Sequence, residues 1–267
     1  MTSTPCWTAI TSCAAGARTA SRPPRRCNAW ASPSRFRSIR RASSMFDTVI
    51  HGGTLLTPAG PLDADLAIAE GKIAAIGADL AGIELIDAAG LYVLPGAVDP
   101  HVHLDMPVGE TRSSDDWRSG TLAAACGGTT TVIDFVEPAP GQPLLEALRA
   151  RIRQAEGQAV IDFALHMTLT DDNERTLAQL PGLVRAGCTS FKTYFTYPGF
   201  RVSDGQFLNI LAAAKAAGGL VLLHAENDAI LSHLTAQLLA AGRSAPEFHA
   251  AARPAIAEGE AIQRAMA

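Results

Sequence analysis

The alternation of apolar and polar positions changes rhythm once along the chain. Across residues 45–87, short alternating stretches are cut by glycine. Residues 46–50 run into Gly52-Gly53, Thr54–Thr57 into Pro58-Ala-Gly60, Asp65–Ala69 into Glu70-Gly71, and residues 72–76 into Gly77. Side chains on a strand point to opposite faces in turn, and glycine marks the tight turns between strands, so this pattern predicts a small antiparallel sheet. The stretch is too short for a large core and reads as a satellite domain.

Beyond Leu91 the strands become more apolar and are separated by helical patterns. Residues 129–135, 161–168, 189–194 and Leu220–His224 read as buried strands. Leu144–Ala155 and residues 206–217 read as helices, the second closing on Gly218-Gly219 as a helix C-terminus does. With the first strand taken to His103, the strand ends are spaced by roughly the 30 residues of one βα unit. Alternating β and α elements imply a parallel sheet. The predicted fold class is α/β: an incomplete (β/α)8 TIM-type barrel of about five strands, preceded by the small β segment, with functional residues at the C-terminal strand ends. A doubly wound open sheet is the alternative, but no Gly-x-Gly-x-x-Gly phosphate loop follows the first strand.

Composition narrows the function classes. Of 267 residues, 48% are hydrophobic and 18% charged, which describes a globular chain with ample core material. No run reaches the roughly 18 apolar residues of a membrane span, so no membrane partner is expected. The net charge of −4 conceals an asymmetry: residues 1–44 hold eight arginines and no Asp, Glu or Lys, leaving 14 basic against 26 acidic side chains in the remainder. So acidic a body offers no nucleic-acid footprint. Three of the five cysteines also lie in residues 1–44, and Cys126 and Cys188 have no framework spacing, the pattern of a reduced cytoplasmic protein. Residues 1–44 lack periodicity and read as a basic, unstructured leader. It is either an upstream extension before a start at Met45 or a transit peptide, and the regular pattern that begins right after Met45 favours the former. The expected domains are therefore 1–44, 45–90 and 91–267.

The segment Leu91-Tyr-Val-Leu-Pro-Gly-Ala-Val-Asp-Pro-His101-Val-His103 contains the most chemistry. On a strand reaching His103, both imidazoles project the same way. Neutral nitrogens so placed suit a divalent transition metal, although a solvated sheet edge could show the same pattern. Strand ends further along supply Lys192 and His224. Only three lysines follow residue 44, at 72, 192 and 215, so one inside an apolar strand stands out. Buried lysine is costly unless it is paired, neutral or modified. Lys192 could form a Schiff base, reach a structural carboxylate, or, as a neutral amine, take up carbon dioxide to form a carbamate that bridges two metals. Three histidines on neighbouring strand ends favour the carbamate.

These residues resemble the binuclear amidohydrolase superfamily. More specifically, His101-Val-His-Leu-Asp-Met-Pro107, Ser114-Asp-Asp-Trp117, Gly127-Gly-Thr-Thr-Thr-Val-Ile-Asp-Phe135, Ser190-Phe-Lys-Thr-Tyr-Phe-Thr-Tyr197, His224-Ala-Glu-Asn227 and Glu247-Phe-His-Ala-Ala-Ala-Arg-Pro254 resemble the dihydropyrimidinase/D-hydantoinase family. Residues 65–77 resemble that family's N-terminal β-sandwich strands. The resemblance covers residues 45–267 and leaves out 1–44.

The resemblance implies that His101 and His103 hold one divalent metal and His224 a second, with carboxylated Lys192 bridging them. Zinc is the expected ion. The metals would polarise a cyclic amide carbonyl and yield hydroxide near neutral pH, and Tyr197 would hydrogen-bond the developing oxyanion. The implied reaction opens 5,6-dihydropyrimidines or hydantoins to N-carbamoyl amino acids, in a cytoplasmic enzyme whose intact form is a homotetramer. Allantoinase and dihydroorotase share the metal centre. Dihydroorotase-type sites place an arginine two residues after the second histidine to clamp a substrate carboxylate. Asp105 stands there instead, which favours a neutral ring. Non-catalytic relatives that have lost the ligands are disfavoured, because all four positions are retained.

Other polar residues have plainer readings. His51, His233 and His249 read as solvated or structural, His166 as a hydrogen-bonded core histidine, and Asp134 and Glu137 as possible supports of the site. Residues 91–267 fall short of the about 250 of a typical barrel. In the family, later strands contribute a further metal histidine and an aspartate that moves the proton. The expectation from sequence is thus a truncated chain, inactive as it stands.

Overall fold

A computed structural model describes residues 45–108 and 110–267. The expectations for the leader and for Cys6, Cys13 and Cys27 lie outside the described residues. These divide into two compact units, one formed by residues 45–98 with 123–130, the other by 99–122 with 131–267. The division falls inside a strand rather than at 90/91.

The first unit contains β1 (Phe46–His51), β2 (Thr54–Thr57), β3 (Gly60–Asp63), β4 (Asp65–Ala69), β5 (Lys72–Gly77), β6 (Gly82–Asp87) and β7 (Tyr92–Val93). They form two sheets, β5-β4-β1-β6 and β3-β2-β7. The expected single antiparallel sheet is thereby corrected. β1 is antiparallel to β4 but parallel to β6, and β2 is parallel to β7. The pattern missed β3 and β6, because their outward positions include proline, leucine and isoleucine and so blur the polar alternation. Asp65 ties this unit together, accepting from the backbone N–H of Gly52 and Leu80 (both 3.1 Å) and lying 2.8 Å from His51 Nδ1. Those contacts, the Gly52 N–H above all, hold its carboxyl below the usual range against the opposing effect of burial. His51 is accordingly structural.

The second sheet runs in the order β14-β13-β12-β11-β8, comprising β8 (Ala97–Val102), β11 (Thr129–Val136), β12 (Asp162–Thr168), β13 (Ser190–Tyr194) and β14 (Leu220–His224). A short hairpin, β9 (Pro107–Val108) with β10 (Thr111–Arg112), follows β8. β11 to β14 are parallel neighbours, and helices Leu144–Ala155 and Asp204–Ala217 fill two of the crossovers as predicted. The second helix starts at a capping box between Ser203 and Gln206 and ends on Gly218 at φ 78°, a left-handed conformation that glycine adopts without a Cβ clash. This is the five-strand portion of a (β/α)8 barrel. The apolar run from Leu91 proves not to be one strand: Tyr92–Val93 pairs with β2, Leu94-Pro95-Gly96 interrupts, and β8 stops at Val102. β8 is an edge strand with Val98 58% exposed, so its apolar character overstated its burial.

Phe191, Met167, Leu180, Leu183 and Ile210 are buried between sheet and helices. Phe191 fills the space beside Gly219, where an added Cβ would lie 2.4 Å from the phenyl Cε2. Large-to-small truncation at such a site loses transfer energy and leaves a cavity. Phe191→Ala should therefore lower the unfolding free energy by about 3–5 kcal/mol, read from urea denaturation followed by circular dichroism.

Candidate metal centre

The site is assembled where the parallel strands end. His166 on β12 is buried, with Nε2 2.9 Å from the Pro100 carbonyl and Nδ1 2.5 Å from Ser190 Oγ. A carbonyl only accepts, so Nε2 carries the proton and the serine hydroxyl donates to Nδ1. The core-histidine reading is thus the one the structure supports. Its two bonds fix the residue before His101 and the residue two before Lys192.

The His101 and His103 rings lie 5.1 Å apart, edge to face, and each centroid is 4.7 Å from that of Phe135. The two imidazoles therefore meet even though β8 stops at Val102. Burial, then the Lys192 charge, keeps the His101 pKa below its ordinary value. For His103 the causes are burial, then His101, Lys192 and Arg151. Both rings are thus biased toward the neutral form that binds metal. His103 Nδ1 is buried and has no hydrogen-bond partner, a costly vacancy for a polar atom unless a ligand meets it.

Lys192 is only 4% exposed. On β13 it pairs in register with Thr168 of β12 and Leu222 of β14. Its Nζ lies 5.0 Å from the Tyr194 ring centroid and 5.7 Å from that of Phe135, and among the described residues no carboxylate pairs with it. Burial lowers its pKa, favouring the neutral amine.

His224 ends β14 opposite Tyr194, whose ring stacks on it at 5.9 Å. Its Nε2 is 2.5 Å from Glu226 Oε2 and 3.4 Å from the Tyr197 hydroxyl. Tyr197 has φ 74°, the left-handed region that costs a bulky residue strain and that clusters at functional sites. The turn holds it there, with the N–H groups of Phe200 and Arg201 donating to its carbonyl.

Among the described residues no group of three or more His, Cys, Asp or Glu side chains is close enough to hold a metal ion. His101 is on β8 and His103 lies just past its end, His224 ends β14, and Lys192 stands on the sheet between these edge strands. A lysine converted to an oxygen donor is the group that would join them. The donor chemistry therefore fits a metal centre that depends on Lys192.

Three supporting residues escaped the sequence reading. Arg151 Nη2 donates to both the Leu104 carbonyl and Asp134 Oδ2, and its guanidinium lies 4.9 Å from the Trp117 ring centroid. The residue after His103 is thus anchored, and Asp134 acquires its partner even as burial raises its pKa. Nothing in the local sequence distinguishes Arg151 from the other arginines of the helix, at 149 and 153. Glu226 was detectable, because it stands two residues after His224 at the spacing that singled out His101 and His103. Arg253, which bonds Glu226 at 2.5 Å, left only a motif position. Asp105 pairs with Arg112 at 2.7 Å. His233 and His249 are exposed. A cavity of about 660 Å³ lies at the ends of β11 and β12, lined by Glu137, Thr168, Asp171 and Phe200 among others, and is of small-molecule size.

Replacing His166 by Phe would leave the Pro100 carbonyl and the Ser190 hydroxyl unpaired, at about 1–3 kcal/mol for each buried polar group. His166→Phe should show that loss in chemical denaturation, and His166→Gln, which retains a donor, should recover part of it.

Residues 92–253 match the amidohydrolase family. The chain is 45% identical over 221 residues to a D-hydantoinase of Geobacillus stearothermophilus, a match covering 81% of this chain and 47% of that protein. A Streptomyces coelicolor D-hydantoinase is 42% identical over 227 residues, covering 82% and 49%. The crystal structure of a dihydropyrimidinase from Brevibacillus agri superposes with a TM-score of 0.79 at 43% identity, covering 82% of this chain and 48% of that one. The chain spans about half the length of the curated relatives it matches.

Proposed function

The chain belongs to the amidohydrolase family, and we propose that it carries the metal-binding strand ends of a cyclic amidohydrolase that opens 5,6-dihydropyrimidine or hydantoin rings to N-carbamoyl amino acids. The observation that supports this best is Lys192, buried without a carboxylate partner on the sheet between the histidine pair and His224. In this reading His101 and His103 hold one divalent ion and His224 the other, zinc being the expected metal. The neutral Lys192 amine would add to carbon dioxide and release a proton, giving a carbamate that supplies oxygen donors for the metal. Bound metal would supply a polarised ring carbonyl and an activated water near neutral pH. The Tyr197 hydroxyl donates to the oxygen of the attacked carbonyl as negative charge builds there.

A neutral ring suits the chain better than a carboxylate-bearing one. Asp105 occupies the position where a carboxylate clamp would stand, and the nearby Arg112 is already engaged by it. The cavity beside Thr168 is large enough for a ring substituent.

Lys192→Ala should abolish stoichiometric zinc, measured by plasma emission spectrometry, and short-chain carboxylates added with zinc should restore part of the binding. Zinc content unchanged in Lys192→Ala, or borohydride trapping of a carbonyl compound on Lys192, would overturn the carbamate reading. In ring-opening assays on a full-length protein that carries this segment, hydantoin or dihydrouracil should be preferred over dihydroorotate, and the reverse order would defeat the argument from Asp105.

A further inference from the structure

One organised polar cluster near these strand ends surrounds Glu226. The carboxylate receives two contacts on one oxygen: His224 Nε2 and Arg253 Nη1 each lie 2.5 Å from Oε2. Glu226 and Arg253 are largely buried, with side chains 15% and 26% exposed. The segment is held from both sides. The Phe195 N–H donates to the His224 carbonyl at 3.0 Å, and the Asn227 N–H donates to the Ala257 carbonyl at 2.9 Å. Asn227 also caps the helix Asp228–Ala240 and donates to Glu260 Oε2 at 2.7 Å. Arg253 further places its guanidinium 5.6 Å from the Tyr197 ring centroid.

We propose that Glu226, clamped by Arg253, is a positioning residue that selects the metal-binding nitrogen of His224: Nε2–H donates to the carboxylate and Nδ1 is the ligand. This inference rests on the metal reading above. The Arg253 charge already balances the Glu226 carboxylate, so the histidine need not be protonated to satisfy it and supplies one N–H. Nδ1 of His224 has no hydrogen-bond partner among the described residues, as a ligand atom awaiting metal requires. A histidine whose second nitrogen donates to a carboxylate is fixed in tautomer and ring angle and is the more basic ligand for it. The same arrangement bears on Tyr197. With the Nε2 lone pair replaced by a proton aimed at Glu226, the hydroxyl 3.4 Å away has no acceptor there and is free to donate elsewhere.

The test uses the whole chain labelled with ¹⁵N-histidine. Long-range ¹H–¹⁵N spectra of the metal-free protein should show His224 as the Nε2–H tautomer, and loading with ¹¹³Cd should give scalar coupling to His224 Nδ1. Glu226→Ala should weaken cadmium binding, measured by chelator competition, by about 10–100-fold. Glu226→Gln, which keeps an acceptor oxygen, should lose less, and Arg253→Ala should fall between. Thermal melts of each variant separate this loss from unfolding. Coupling to Nε2 in the wild type would overturn the proposal, as would cadmium affinity in a folded Glu226→Ala variant within twofold of wild type. A wild-type chain that binds no cadmium would overturn the metal reading itself, and this inference with it.

Discussion

A primary amine is expensive to bury, and the second sheet is built around one. Lys192 has apolar or aromatic neighbours: Phe191 behind it on β13, Leu222 across on β14, and the rings of Phe135 and Tyr194 near its nitrogen. No described carboxylate answers it, so its charge is not neutralised in place. Desolvation lowers the pKa of the ammonium, and the shift toward the neutral amine lessens the cost of keeping the group there. The histidines near the strand ends lie to either side of that side chain in the sheet.

The groups around the lysine are held through backbone carbonyls at least as much as through side chains. His166 bonds the carbonyl before His101, Arg151 the carbonyl after His103, and the Phe195 N–H the carbonyl of His224 itself. Each anchor comes from a different strand, helix or loop, so the positions of the imidazoles are set by the packing of the whole unit. A site held this way has little freedom to drift when one exposed residue changes.

Much of this was legible in the chain. The βα rhythm after Leu91 predicted a parallel sheet, and the helices at 144–155 and 206–217 were found nearly at their observed bounds, because helical periodicity and a terminal glycine pair are local signals. The strand ending at His103 was not, since Pro95-Gly96 redirects the chain and the first half pairs with β2, a long-range event. β6 was invisible for a related reason: its parallel pairing with β1 decides its state, and its own pattern does not. The candidate ligands stood out by residue type, whereas Arg151 and Arg253 did not. An arginine on a helix or in a loop looks the same whether it meets water or a buried carboxylate two elements away.

Tyr197 has one more implication. Its left-handed backbone, at φ 74° and immediately before Pro198, sits where a glycine would relax the turn. Selection for stability alone would favour replacing it, and the protein would become more robust while losing a hydroxyl that lies 3.4 Å from His224. The strained backbone makes Tyr197 a position where a gain in stability and the loss of that side chain would come together.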